Sequence, residues 1–241
     1  MKKLFALLYV SIVATSAFAQ GTIAVGNGTY AFARTNATGI GWTAGNTAPV
    51  LGGFYYAVFT AASTVTSIDV SLQNLLTSTW TFTGVYATNS AVATGGRLLN
   101  GASGIATTQG WTPGQTNSYL LLGWSGNLAT FDVNSILNDL RGAQLQGGGW
   151  TVGGFATNDF SGLAFVGATT IGFGAAGGGT TGLGPLLLFG PANDPAGNPI
   201  GANPNPSPFD LFIVCNSCPE PSAFALAGLG AAAILFRRRR N

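Results

Sequence analysis

Asp132 and Asp139 are the closest pair of carboxylates along the chain, and a pair of carboxyl groups is the minimum equipment for glycoside hydrolysis. Their surroundings point elsewhere. Asp132 stands just ahead of Asn134 to Arg141, a short stretch with Ile136, Leu137 and Leu140 on one helical face. A carboxylate in that place stabilises a helix start, and Asp139 reads as a solvated helix acid. Asp132-Val133-Asn134 opens like a calcium loop but lacks the glycine at its sixth position and the acid at its twelfth. Cys215 and Cys218 form a C-x-x-C, but Pro219 follows where a thioredoxin-type site needs a helix. A local disulfide, or an incidental unpaired couple, is the expectation. Tryptophan faces stack on sugar rings, so Trp42, Trp111, Trp124 and Trp150 are candidates for a sugar platform, with burial in a core as the other reading.

What the chain lacks narrows the chemistry further. It has no histidine, and between Gln20 and Cys218 it has neither lysine nor glutamate. A serine or cysteine nucleophile would be without its usual base. Histidine-containing metal sites are impossible, and two cysteines cannot make a four-thiolate zinc site. The expectation is a protein that is not an enzyme and needs no metal or cofactor. An Asp-dependent glycoside hydrolase is the weakest alternative.

Both ends of the chain read as handling signals. Lys2 and Lys3, the apolar Leu4 to Ala14 and the small-residue site Ala17-Phe18-Ala19 make a secretory signal peptide over residues 1–19, with cleavage governed by Ala17 and Ala19. At the other end Pro219-Glu220-Pro221 precedes an uncharged apolar run, Ser222 to Phe236, and then Arg237, Arg238, Arg239 and Arg240. The prolines keep the peptide around Glu220 extended, the run can enter a bilayer, and the arginines stay on the cytoplasmic side. Fifteen residues make a helix of about 22 Å, short of the roughly 30 Å hydrocarbon core. That length suits a temporary insertion better than a lasting anchor.

From Pro219 to Arg240 the tail resembles the PEP-CTERM sorting domain of bacteria with an outer membrane. The resemblance implies processing by an exosortase, an integral-membrane protease, after transient insertion in the bacterial membrane, and delivery to the cell surface or extracellular matrix. It is confined to the tail and carries nothing about the chemistry of the body.

Removing the two signals reverses the apparent charge. The body keeps three arginines, Arg34, Arg97 and Arg141, against six aspartates, a net charge of −3. It offers no basic footprint for a nucleic acid. With 37 glycines in the chain, little charge and abundant Phe, Trp, Leu, Val and Ile, it is glycine-rich yet able to build a core. Strand-like runs occur at residues 53–59, 64–72, 79–86, 119–124, 150–156, 163–166, 169–173, 186–189 and 209–214. Long amphipathic helices between them are missing, which predicts a mainly β, antiparallel sandwich or jelly-roll-like body over residues 20–214 with one short helix at 134–141. The glycine-rich residues 174–184 read as a mobile loop, and 191–208 as a long irregular connection. A linker at 215–221 then leads to a C-terminal hydrophobic helix over 222–240. The expected role is structural or adhesive, at the surface or in the matrix. A carbohydrate-binding module for matrix polysaccharide is the alternative.

Overall fold

The computed structural model describes residues 20–27, 32–36, 45–67, 79–91, 95–100, 104–128, 131–139, 143–146, 149–152, 164–179, 181–189 and 209–214. The signal segment 1–19, the connection 191–208, the linker 215–221 and the C-terminal segment 222–240 lie outside them.

The centre of the body is made by the two longest strands. β4 (Phe54–Ala62) and β8 (Thr116–Ser125) pair antiparallel along all of β4 and all but the first residue of β8, from Phe54 opposite Ser125 to Ala62 opposite Asn117. Their sequences, FYYAVFTAA and TNSYLLLGWS, lack strict polar alternation because both faces are covered. Tyr56, Val58, Tyr119 and Leu121 face one core; Tyr55, Ala57, Phe59, Leu120, Leu122 and Trp124 face the other.

Around this pair the large sheet runs in the order β3 (Gly45–Asn46), β2 (Ala33–Asn36), β14 (Phe209–Val214), β11 (Ala164–Ala168), β8, β4, β5 (Thr81–Asn89) and β6 (Leu98–Leu99). β12 (Gly172–Ala175) continues the line of β11 along the first half of β8. Between them Thr169 keeps the ladder joined, since its Oγ1 accepts the Leu121 N–H and its own N–H reaches the Leu121 carbonyl. β14 is an interior strand, parallel to β2 on one side and antiparallel to β11 on the other.

One face of this sheet is covered by a three-stranded sheet ordered β13 (Leu186–Leu187), β1 (Thr22–Ala24), β7 (Ile105–Thr107), whose Ile23 and Leu186 reach the first core. The other face is covered by the helix α1 (Val133–Asp139), through Val133, Ile136 and Leu137. β9 (Ala143–Gln146) and β10 (Gly149–Val152) form a separate hairpin.

The body is therefore mainly β, as the composition predicts, with one helix among the described residues. Some details differ from expectation. β14–β2 and β1–β13 are parallel pairs, and the described strands form three sheets of nine, three and two strands. Residues 64–67, expected to begin a strand, lie outside any strand: the Val65 N–H turns back to the Ala62 carbonyl, and the Val65 carbonyl is held by Ser118 Oγ at 2.7 Å. β12 begins within the strand-like run expected at 169–173 and extends two residues into the expected glycine loop. Its Gly172 lies against the Tyr119 ring so closely that a Cβ would collide with it. Gly84 has a φ of +78° and stands where three residues of β5 oppose the single Val58 of β4, a bulge that needs glycine's freedom.

Candidate functional site

The candidate catalytic pair separates into structural roles. Asp132 Oδ1 accepts the N–H groups of Asn134 and Ser135, both at 3.1 Å, which is N-capping of α1. Asp139 closes the same helix at its other end. Asp210 lies on β14 in register with Arg34 of the parallel β2. Asp69, Asp159 and Asp194 are outside the described residues. Among the described residues no group of three or more His, Cys, Asp or Glu side chains is placed to hold a metal ion.

The tryptophans also part company. Trp111 and Trp124 are both fully buried, so neither offers a ring face to a sugar, and their candidacy as a platform is corrected here. Trp124 sits at the end of β8 in a cluster with Tyr55 (ring centroids 6.4 Å apart, stacked) and Tyr86 (6.4 Å, edge-on). Trp111 packs on Tyr119 at 6.1 Å and donates its indole N–H to the Gln115 carbonyl at 2.8 Å. Both have the surroundings of core aromatics, with a large apolar area inside and a polar end satisfied where needed. The side chain of Trp150, on β10, and the whole of Trp42 lie outside the described residues.

A buried polar cluster that the sequence does not advertise lies where β4, β5 and β6 meet the segment before β4. Asn89 donates to Thr47 Oγ1 at 2.7 Å, and Tyr56 donates its hydroxyl to Asn89 Oδ1 at 3.4 Å. Asn27 donates to the Gly96 carbonyl at 2.7 Å and accepts the Leu98 N–H at 2.9 Å. Burial pushes the Tyr56 phenol well above its ordinary range, against the smaller opposing pull of Thr47 and Asn89. A phenol held neutral in this way is neither an acid nor a nucleophile at physiological pH. The cluster ties Thr47 and Asn27 to the sheet and satisfies groups that would otherwise be buried without partners. Asn89 lies three residues past the strand-like run read at 79–86, and nothing in the sequence links it to Thr47 or Asn27.

What remains is the exit of the chain. β14 ends at Val214, clamped between β2 and β11, and Pro219 follows five residues later. Five residues span at most about 18 Å, so the Pro-Glu-Pro element is tethered close to a rigid sheet. Cys215, Cys218, Pro219, Glu220, Pro221 and Arg237 to Arg240 lie outside the described residues. Residues 217–240 match the family model of the PEP-CTERM protein-sorting motif.

The tail is a PEP-CTERM sorting signal.

The PEP-CTERM match covers the tail alone and includes the three residues of its motif, the apolar run and the arginine cluster. It marks an exported protein directed to an exosortase, a membrane enzyme. No curated protein and no solved structure matches the chain. Among the described residues, which exclude the tail, no helix is long and apolar enough to cross a membrane.

Proposed function

We propose that this is a non-enzymatic structural or adhesive protein of the cell surface or extracellular matrix. It is exported by cleavage after Ala19, held briefly in the membrane by residues 222–240, and released by an exosortase cutting near Pro219-Glu220-Pro221. The observation that carries the reading is the match of residues 217–240 to the sorting motif. The composition supports it: a chain without histidine, and with a body lacking lysine and glutamate, has little means of acid–base or nucleophilic catalysis. The arginine cluster favours an orientation with the body outside and residues 237–240 in the cytoplasm, which exposes the motif to a protease on the external side.

Mass spectrometry of surface and matrix fractions tests the sorting step. The expected product starts at Gln20, ends near Pro219 and lacks the arginine cluster. Replacing Pro219, Glu220 and Pro221 together by alanine is expected to hold the full tail in the inner membrane. Release of that variant at the wild-type level would remove the motif from the account. Purified residues 20–218 are expected to turn over no ester, peptide or glycoside, and reproducible turnover would overturn the non-enzymatic role.

A further inference from the structure

Six large apolar side chains are exposed among the described residues: Val50, Leu51, Leu99, Ile105, Phe131 and Leu187. They are not evenly spread. Register carried across the sheet puts Phe212 level with Val166, Trp124, Tyr55 and Thr88 in turn. The C-terminal end of β14, the end of β8 and the start of β4 thus lie at one end of the sheet. Val50 and Leu51 occupy the turn that enters β4, and Phe131 follows the turn that leaves β8; their exposures are 58%, 61% and 54%. The two loops meet through Tyr55. Its hydroxyl closes on Gly52, where a Cβ would lie 3.1 Å away, and its ring meets Phe131 edge-on at 4.6 Å. Ala48 and Pro49 are exposed too, so the turn from Ala48 to Leu51 is uncharged and open.

Few charges lie nearby. Asp132, next to Phe131, directs Oδ1 at the N–H groups of α1. Arg97, whose carbonyl accepts the Ser90 N–H just past β5, is half-buried with its Nε enclosed by protein. The tether supplies the rest. Ser222, where the apolar run begins, is eight residues beyond Val214, at most about 29 Å of extended chain. While the run is inserted, the exit end of the sheet is confined to the neighbourhood of the bilayer. Exposed aliphatic and aromatic side chains at such a distance partition into the membrane interface.

We propose that the rim formed by Ala48 to Leu51 and Phe131 is a lipid-contact surface that seats the body on the outer leaflet during sorting, an inference that rests on the membrane-inserted tail of the preceding reading. Seating fixes the orientation of the sheet's exit end and holds Pro219 to Pro221 at the membrane surface, within reach of an integral-membrane protease.

Spin labelling of the tailed chain in phosphatidylethanolamine–phosphatidylglycerol vesicles tests this. Cys215 and Cys218 are replaced by serine, and single labels are placed by Leu51→Cys, Phe131→Cys, Ile105→Cys, Leu187→Cys or Leu229→Cys. The ratio of oxygen to nickel-chelate collision rates is expected to be at least fivefold higher at 51 and 131 than at 105 and 187, which belong to the three-stranded sheet. Equal ratios at all four, with position 229 buried in the bilayer, would overturn the lipid seat and leave the sorting reading standing. A label at 229 that stays open to nickel would remove the inserted tail, and the seat with it. Protection at 51 and 131 that arises only when exosortase is added would assign the rim to the protease and refute lipid contact.

Discussion

Replacing Trp124 by alanine separates a core tryptophan from a ligand-binding one. The side chain is fully buried, stacked on Tyr55 and edge-on to Tyr86, and its backbone is paired on both sides, with Tyr55 of β4 and Val166 of β11. A strand fixed on both edges cannot move inward to fill the space, so the loss falls near the full range for such truncations, about 3–5 kcal/mol. Against a total stability of about 5–15 kcal/mol for a domain, that is a severe loss. For a body of this size it lowers Tm by roughly 6–20 °C. The control is Phe131→Ala. Phe131 touches Tyr55 and Tyr86 as well, but it is more than half exposed, and its truncation is expected to cost about 1 kcal/mol. Urea denaturation of residues 20–218, followed by circular dichroism, reads both changes, with an unchanged slope certifying that the unfolded reference is the same. A Trp124→Ala protein within about 0.5 kcal/mol of the parent, particularly one that has lost retention on polysaccharide, would refute the core placement and restore the sugar platform.

Tyr56 gives an alkaline signature. Its folded phenol is raised above the unfolded value near 10, so its contribution is fully present below about pH 10 and is lost as pH climbs toward the folded value, at up to about 1.4 kcal/mol per pH unit. Tyr56→Phe is expected to flatten that limb in denaturation curves taken at pH 9 to 11; an unchanged slope would contradict the burial. Asp132→Ala removes the cap of α1 and is expected to cost about 1 kcal/mol, read as a lower denaturation midpoint that Asp132→Ser largely restores. Gly84→Ala places a Cβ at φ +78° and 3.0 Å from the Gln109 side chain, so a loss above about 1 kcal/mol is expected in the same assay.

Much of the central sheet was legible in the sequence because β4, β8 and β14 are long aromatic or aliphatic runs that few other structures accommodate. The Asp132 cap was legible for a similar reason, since the interaction is local. The strands β1, β2, β3, β6 and β7 have two to four residues each, too few for a period to register, and only their partners define them. β12 is the sharper case. Its Gly172 and Phe173 fall in the run read as a strand at 169–173, but Gly174 and Ala175 were read as loop, since glycine carries no strand signal of its own and Leu186, distant in sequence, fills the space a side chain at 174 would need. The alternation at residues 64–67 failed in the opposite sense, because a local pattern has no force without a neighbouring strand to pair with. The sorting signal was readable because it acts as a linear stretch of chain. The placement of Trp111 and Trp124 was not, since residue type alone does not say which side of a sheet is covered.

The interior position of β14 ties the completion of the large sheet to the arrival of a strand far along the chain from β2. This strand is among the last parts of the body to emerge, yet it fills the slot between β2, from the beginning of the body, and β11. Until it arrives, both neighbours present an unpaired edge, the feature that invites association with other chains. Pairing across such a separation is slow because loop closure precedes any gain from contact. On the proposed route, with export N-terminus first, the chain stays unfinished, and vulnerable to proteolysis, until its last body strand has crossed. The proposed cleavage near Pro219, beyond that strand, would leave the slot filled and liberate a sheet with all its interior edges closed.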